Sequence, residues 1–437
     1  MKINVHPNPS LVDEKVKIIV SELLPKQKVK IKMARTARNA THIFFLESYA
    51  EFTADGCGCV DLTRDSPCSG TYEGADPMGL FWSLQVQDVQ PKDHAAGVGQ
   101  VLEPQSLALT VESNDRVIGT CDLMRLWMSA ATSRISVREN GLVATYFCHN
   151  DGIARPGVIV VGGSEGGLNE YMAALLASHG FSTLALAYFG IEHLPKHASE
   201  IPLEYIETAI KWLESREEVI PDWLSIHGTS KGGELALIAG ACFPQIKAVV
   251  SLSGFALSFA GIVPWSDAKT LPASWTFNDK PIPYATLENP VDVALECLSR
   301  YKSGQGRPLV KWYRTLASDS EVVRRATIPV ERIRGPVLFI SGQDDGDVSR
   351  FTKIGVDRLA EHNHPYEVIH LDYPGGTHAI GIPYVRLTIP GRNAKLVADA
   401  SVDSWNQTIR FLQFAAKLQK HKGEKRIKIR PNGTLFP

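Results

Sequence analysis

From about residue 150 to the end of this 437-residue chain, short apolar runs alternate with longer stretches of helical spacing. Val158–Val161 is a four-residue apolar run suited to a strand buried on both faces. A helical pattern follows over Leu168–Ser178, with Tyr171, Leu175 and Leu176 on one face. Ser182–Ala187 reads as strand, Leu203–Glu217 as helix with Ile206, Ile210 and Leu213 in register, and Leu224–His227 as strand. Gly232–Ala241 then reads as helix and Ala248–Leu252 as strand. Further on, Val337–Ser341, Phe351–Glu361, Tyr366–Leu371 and a terminal helix over Ala394–Leu418 continue the alternation. Such a rhythm implies a mostly parallel sheet with helices on both faces, an α/β fold. The run Ile135–Val137, Asn140-Gly141, Leu142–Phe147 adds an antiparallel hairpin at its leading edge.

Residues 1 to about 115 follow a different pattern. Val16–Val20, Val29–Lys32, Ile43–Leu46, Cys59–Leu62, Phe81–Gln85 and Leu107–Val111 are short alternating segments separated by Gly, Pro, Asn and Asp clusters. Many short strands with turn signals and no long amphipathic helix predict a β-sandwich. The expected organisation is therefore two domains, a sandwich over 1–115 and an α/β domain over 116–437.

Composition narrows the function classes. The 46 Lys and Arg balance 47 Asp and Glu, which argues against nucleic acid as the main ligand. Hydrophobic residues make up 44% of the chain, which excludes intrinsic disorder. Apolar runs are strand-sized, so no integral membrane contact is expected, and MKINVHPNPS carries no secretory pattern. Seven cysteines (57, 59, 68, 121, 148, 242 and 297) are an odd number spread thinly, as in a protein with reduced thiols in the cytoplasm. Cys57-Gly58-Cys59 with Cys68 invites a metal reading, but no His completes a zinc spacing and alternate strand residues give the same pattern. No metal and no cofactor is expected.

The most informative stretch is Gly228-Thr229-Ser230-Lys231-Gly232, between a short apolar strand and a helical run. This is the context of a nucleophile elbow, where G-x-S-x-G lifts a serine hydroxyl on a strained turn beside a helix N-terminus. A serine nucleophile needs a base and an orienting carboxylate, which in α/β-hydrolases follow in the order Ser, acid, His. Strand Val337–Ser341 runs into Gly342-Gln343-Asp344-Asp345-Gly346-Asp347. Spacing from Gly342 favours Asp345, with Asp344 the rival and Asp347 third. Strand Tyr366–Leu371 leads into Tyr373-Pro374-Gly375-Gly376-Thr377-His378, where the base belongs. His227 is the closest alternative, although it lies on a strand rather than in a loop. His193, His197, His362 and His364 read as surface or structural imidazoles.

An oxyanion would be met by the N–H of Lys231, just after the nucleophile, and by that of Ser164 or Glu165 in the turn Gly162–Gly167. That glycine-rich turn is not spaced G-x-G-x-x-G, which disfavours a dinucleotide site.

With these segments assembled, the chain resembles the type I acyl-CoA thioesterases and bile acid-CoA:amino acid N-acyltransferases over nearly its whole length. The resemblance rests on Tyr72–Trp82, Ser164–Tyr171, Ser230–Leu235, Ile328–Glu331, Gly342–Asp345 and Tyr373–Tyr384. It implies an α/β-hydrolase domain behind an immunoglobulin-like sandwich, an acyl-CoA substrate, and Ser230, Asp345 and His378 as catalytic residues. Three departures stand out. Thr377 precedes the base where the family usually has glycine. The segment 255–326 is longer than expected, is rich in Trp265, Trp275, Phe277 and Trp312, and lies where such hydrolases carry a lid. The nucleophile is serine, where the amino-acid acyltransferases resemble one another in carrying cysteine. Serine favours hydrolysis, because a seryl ester is generally resolved by water. The alternatives are a carboxylesterase or peptidase-like hydrolase, and acyl transfer to an amine. The basic tail Lys417–Arg430 reads as a solvated terminus.

Overall fold

The computed structural model describes all residues except 39–41, 92–101, 264–270, 287–298, 300–318, 386–392 and 421–437. Trp265, Trp312 and the basic tail from residue 421 lie outside the described residues.

The α/β half is built on one eight-stranded sheet. Its strands are β1 (Thr132–Val137), β2 (Ala144–His149), β3 (Arg155–Val161), β4 (Ser182–Leu186), β5 (Val219–Thr229), β6 (Ile246–Leu252), β7 (Val337–Gly342) and β8 (Val368–Tyr373). Their spatial order is β1-β2-β4-β3-β5-β6-β7-β8. The expected hairpin β1–β2 is antiparallel, as is β2 to β4, and every later neighbour is parallel. Val158, Ile159, Val160 and Val161 are all fully buried, as a central parallel strand covered on both faces requires.

The covering helices are α1 (Glu170–Ser178), α2 (Leu203–Glu214), α3 (Lys231–Cys242), α4 (Val348–Glu361) and α5 (Ala394–Lys420). Ile206, Ala209, Ile210 and Leu213 recur at helical spacing and turn one face of α2 to the sheet. They share a core with α3 and Trp275, whereas Met172, Leu175 and Leu176 of α1 pack with Trp405, Phe411 and Leu412 of α5 in another. At the head of α1, Glu170 is buried and receives the guanidinium of Arg134 from β1 at 2.7 Å. A carboxylate there also faces the positive end of the helix.

Strands dominate residues 1–126. Lys2–His6, Lys17–Ser21 and Val60–Asp61 form a three-stranded sheet, and a seven-stranded sheet includes Lys28–Arg38, His42–Thr53, Gln105–Ser113 and Arg116–Leu126. Alternate residues Val29, Ile31 and Met33 point into a core shared with Ile18, Val20, Leu109 and Val111. Two expectations need correction. Phe81–Gln85 is not a strand throughout: Gly79–Trp82 is a buried helical turn. Asp76 organises it by accepting the Met78 N–H at 2.8 Å and the Trp82 indole N–H at 3.0 Å. The divide expected after residue 115 cuts between Gln105–Ser113 and Arg116–Leu126, which pair antiparallel along their length. The strand-rich unit therefore runs on to Leu126.

The two halves meet around Asp13, which accepts the indole N–H of Trp405 at 2.8 Å and bonds His179 at the end of α1. Beside it Arg125 is buried over the Phe81 ring, and donates to Ser10 Oγ, Val12 O and Glu14 O at 2.8 Å each.

Candidate active site

β5 ends at Thr229 and α3 begins at Lys231, so Ser230 alone makes the turn between them. Its backbone is left-handed, with φ +56° and ψ −117°. A side chain costs free energy there, of order 1–3 kcal/mol, and the surroundings hold it in place. The N–H of Ser230 donates to Leu252 O on the neighbouring strand, and its carbonyl accepts from Gly233. The flanking glycines are steric necessities. A Cβ on Gly228 would lie 1.9 Å from Gly232 O, and one on Gly232 would lie 2.3 Å from Gly162 O.

Two loops at the same end of the sheet complete the arrangement. The loop after β7 carries Asp345, and the loop after β8 carries His378. They are bound together by backbone hydrogen bonds from Gln343 to Tyr373 O and from Asp344 to Gly376 O. His378 Nε2 lies 2.9 Å from Ser230 Oγ, and its Nδ1 lies 2.5 Å from Asp345 Oδ2. The Asp345 side chain is fully buried, whereas His378 remains about one third exposed, open to a reacting group and to water. Of the three carboxylates in the acid loop, Asp345 is the one joined to His378. Asp344 contributes its backbone to the loop junction, and Asp347 stands at the head of α4. His227 is fully buried on β5, where desolvation pushes its pKa down to about 4. Thr377, just before His378, is buried and accepts the Ala379 N–H at 3.3 Å.

Lys231 opens α3, so its N–H has no partner within the helix. The turn Gly162–Gly167 packs against the nucleophile: a Cβ on Gly163 would lie 3.0 Å from Ser230 Cβ. Tyr188 Oη donates to Gly162 O at 2.9 Å, and Glu165 Oε1 accepts the Gly163 N–H at 2.9 Å, which fixes the turn. Ser164 is exposed at its tip, and among the described residues no acceptor engages its N–H.

Sequence reasoning missed what lies beneath the elbow. Lys231 Nζ meets both oxygens of Glu234 at 2.9 and 2.8 Å. Glu234 Oε1 also accepts the indole N–H of Trp275 at 2.7 Å and the Phe259 N–H at 3.1 Å. Burial pushes the Glu234 pKa up and that of Lys231 down, while their mutual attraction opposes both shifts. Two charges on the otherwise apolar helix KGGELALIAGAC were the available signal. This cluster anchors the long segment after β6 to the nucleophile's helix. Phe255, Leu257 and Phe259 of that segment pack with Phe351 of α4 in a separate small core.

Two family models match, "Acyl-CoA thioester hydrolase/BAAT N-terminal region" over residues 13–139 and "BAAT / Acyl-CoA thioester hydrolase C terminal" over 201–418. The chain belongs to the acyl-CoA thioester hydrolase/BAAT family. Its fold is that of the α/β hydrolases, and it is a hydrolase-type enzyme. Within the family, a mouse peroxisomal succinyl-coenzyme A thioesterase is 28% identical, over 91% of this chain and 93% of the relative. A mouse acyl-coenzyme A amino acid N-acyltransferase 2 is 31% identical, over 86% of each chain. Among solved structures, a hyperthermophilic esterase from Pyrobaculum calidifontis matches with a TM-score of 0.39 and 15% identity, covering 67% of this chain and 86% of that one.

Proposed function

We propose that this chain hydrolyses acyl-CoA thioesters, with Ser230 as nucleophile, His378 as general base and acid, and Asp345 as the carboxylate that orients His378. The observation that carries the reading is the hydrogen-bonded chain from Asp345 through His378 to Ser230, placed on a strained strand-to-helix turn. Membership of the family supports the choice of carrier.

In the first step Ser230 Oγ attacks the thioester carbonyl carbon while His378 Nε2 takes its proton. The negative oxygen that forms is met by the N–H groups of Lys231 and Ser164. The C–S bond then breaks, the thiol departs with the proton returned by His378, and an ester of Ser230 remains. Water attacks that ester with His378 again as base, releasing the free acid and restoring the hydroxyl. Serine, rather than cysteine, favours water over an amine as the second acceptor. Asp345, buried and bonded to Nδ1, holds the imidazole in the tautomer that accepts at Nε2.

In this reading residues up to about 126 form an immunoglobulin-like sandwich and the remainder the catalytic domain. The setting is cytoplasmic, supported by six free cysteines among the described residues. No helix of the described residues is long and apolar enough to cross a membrane. A panel of acyl-CoAs beside p-nitrophenyl esters, with glycine or taurine added, tests the proposal. Free acid from the CoA thioesters supports it. Strong ester turnover without thioester turnover contradicts it, and so does amide formation at the expense of acid.

A further inference from the structure

A cavity of about 1230 Å³ lies between the outer part of the strand-rich unit and the head of α1, and none of Ser230, Asp345 and His378 lines it. Arg35, on the strand Lys28–Arg38, reaches this cavity. Among the described residues its guanidinium makes no hydrogen bond and no ion pair, and its Nε is sealed from solvent without a partner. Gln105 borders the same space, and its Nε2 is likewise buried and unpartnered. Both orphaned groups are donors. A largely buried cation without a counter-charge is costly, and an acceptor of negative charge removes that cost. Burial accordingly pulls the Arg35 pKa down, and the Tyr171 phenol is the group that opposes the shift. Carboxylates of Glu47, Glu103 and Asp122 also border the cavity, yet among the described residues none of them is ion-paired with Arg35.

The opposite wall is aromatic. Trp127 and Tyr171 pack with ring centroids 4.4 Å apart, and Tyr171 keeps 39% of its surface exposed. Tyr171 sits in the first turn of α1, and the turn just before that helix is the one packed on Ser230. One short stretch of chain therefore joins the nucleophile to the cavity. A CoA thioester has the same layout: its reacting carbonyl lies at one end of a flexible arm, and its phosphates and adenine lie at the other.

We propose that this cavity holds the phosphorylated adenine nucleotide of the CoA substrate, with Arg35 and Gln105 on the phosphates and the Trp127–Tyr171 pair against the base. The proposal rests on the thioesterase reading above. Arg35 and Gln105 are specificity-determining residues in this account, remote from the bond that breaks. Phosphate contacts supply affinity, and an aromatic face supplies a stacking platform for the base.

The test compares Arg35→Met and Gln105→Leu with the unaltered full-length chain on two thioesters of one acid. One is the acyl-CoA; the other is the acyl-N-acetylcysteamine, which lacks the nucleotide. Because Arg35 has no hydrogen-bond or ion-pair partner among the described residues, Arg35→Met is expected to keep its thermal midpoint, and Arg35→Lys serves as the charge-retaining control. The expected result for Arg35→Met is a KM for acyl-CoA raised at least tenfold, with kcat within twofold and the KM for the short thioester within twofold. Adenosine 3′,5′-bisphosphate should compete with acyl-CoA on the unaltered enzyme, and at least tenfold less tightly on Arg35→Met. An unaltered KM for acyl-CoA in Arg35→Met overturns the proposal and leaves the thioesterase reading standing, as does non-competitive inhibition by the nucleotide. Turnover of the short thioester without any turnover of acyl-CoA overturns the thioesterase reading itself.

Discussion

Lys231, one residue beyond the candidate nucleophile, places its Nζ 2.8 Å from Glu234 Oε2, and both side chains are buried. The pair is tied to Trp275 and to the Phe259 backbone, so it joins the segment after β6 to the elbow. Removing one partner leaves a buried charge unopposed. Lys231→Met is therefore expected to lose about 3–5 kcal/mol of stability in urea unfolding. Lys231→Met combined with Glu234→Gln should recover most of that loss, because Gln still offers an oxygen to the indole and to Phe259. The backbone N–H of Lys231 survives both changes.

Asp345 and Asp344 are adjacent in sequence and different in role. Asp345 holds His378 Nδ1, whereas the Asp344 backbone holds the base loop at Gly376. Asp345→Asn should lower kcat by about 10⁴-fold, since it presents the wrong partner to the imidazole. Asp344→Asn keeps its backbone N–H and should stay within about tenfold of the unaltered enzyme. Steady-state kinetics on one acyl-CoA separate the two, and the reverse ranking would reassign the acid.

His227 sets an acid limit on stability. Burial places its folded pKa near 4, below the ordinary value of 6.5, so the unfolded chain takes up this proton first. Its contribution is therefore complete above about pH 6.5 and drains away as pH falls toward 4, by on the order of 3 kcal/mol. Urea unfolding followed across that window should show the loss. His227→Asn should show a shallower slope over the same pH range, whatever its stability at pH 7.

Much of the α/β half was legible because parallel strands buried on both faces leave apolar runs such as Val158–Val161 and Val337–Ile340. The elbow was legible too, since Gly228 and Gly232 are demanded by backbone contacts that no side chain tolerates. The choice between Asp344 and Asp345 leaned on spacing, and burial of one of the pair distinguishes their environments in the fold. The helical turn Gly79–Trp82 was hidden because Asp76 imposes it through a side chain rather than through periodicity. The Glu234–Trp275 bond spans 41 residues, and no local pattern announces a partner at that distance. The cavity at Arg35 joins five strands of one unit to a helix of the other, a meeting that only the fold creates.

The central claim is that the acyl group passes through an ester on Ser230. Rapid acid quench of the enzyme during turnover of acyl-CoA, followed by mass mapping of its peptides, tests this most directly. The account predicts the acyl mass on the peptide containing Ser230, and neither that mass nor free acid from Ser230→Ala. An acyl mass on another residue, or free acid formed at the full rate by Ser230→Ala, would contradict it.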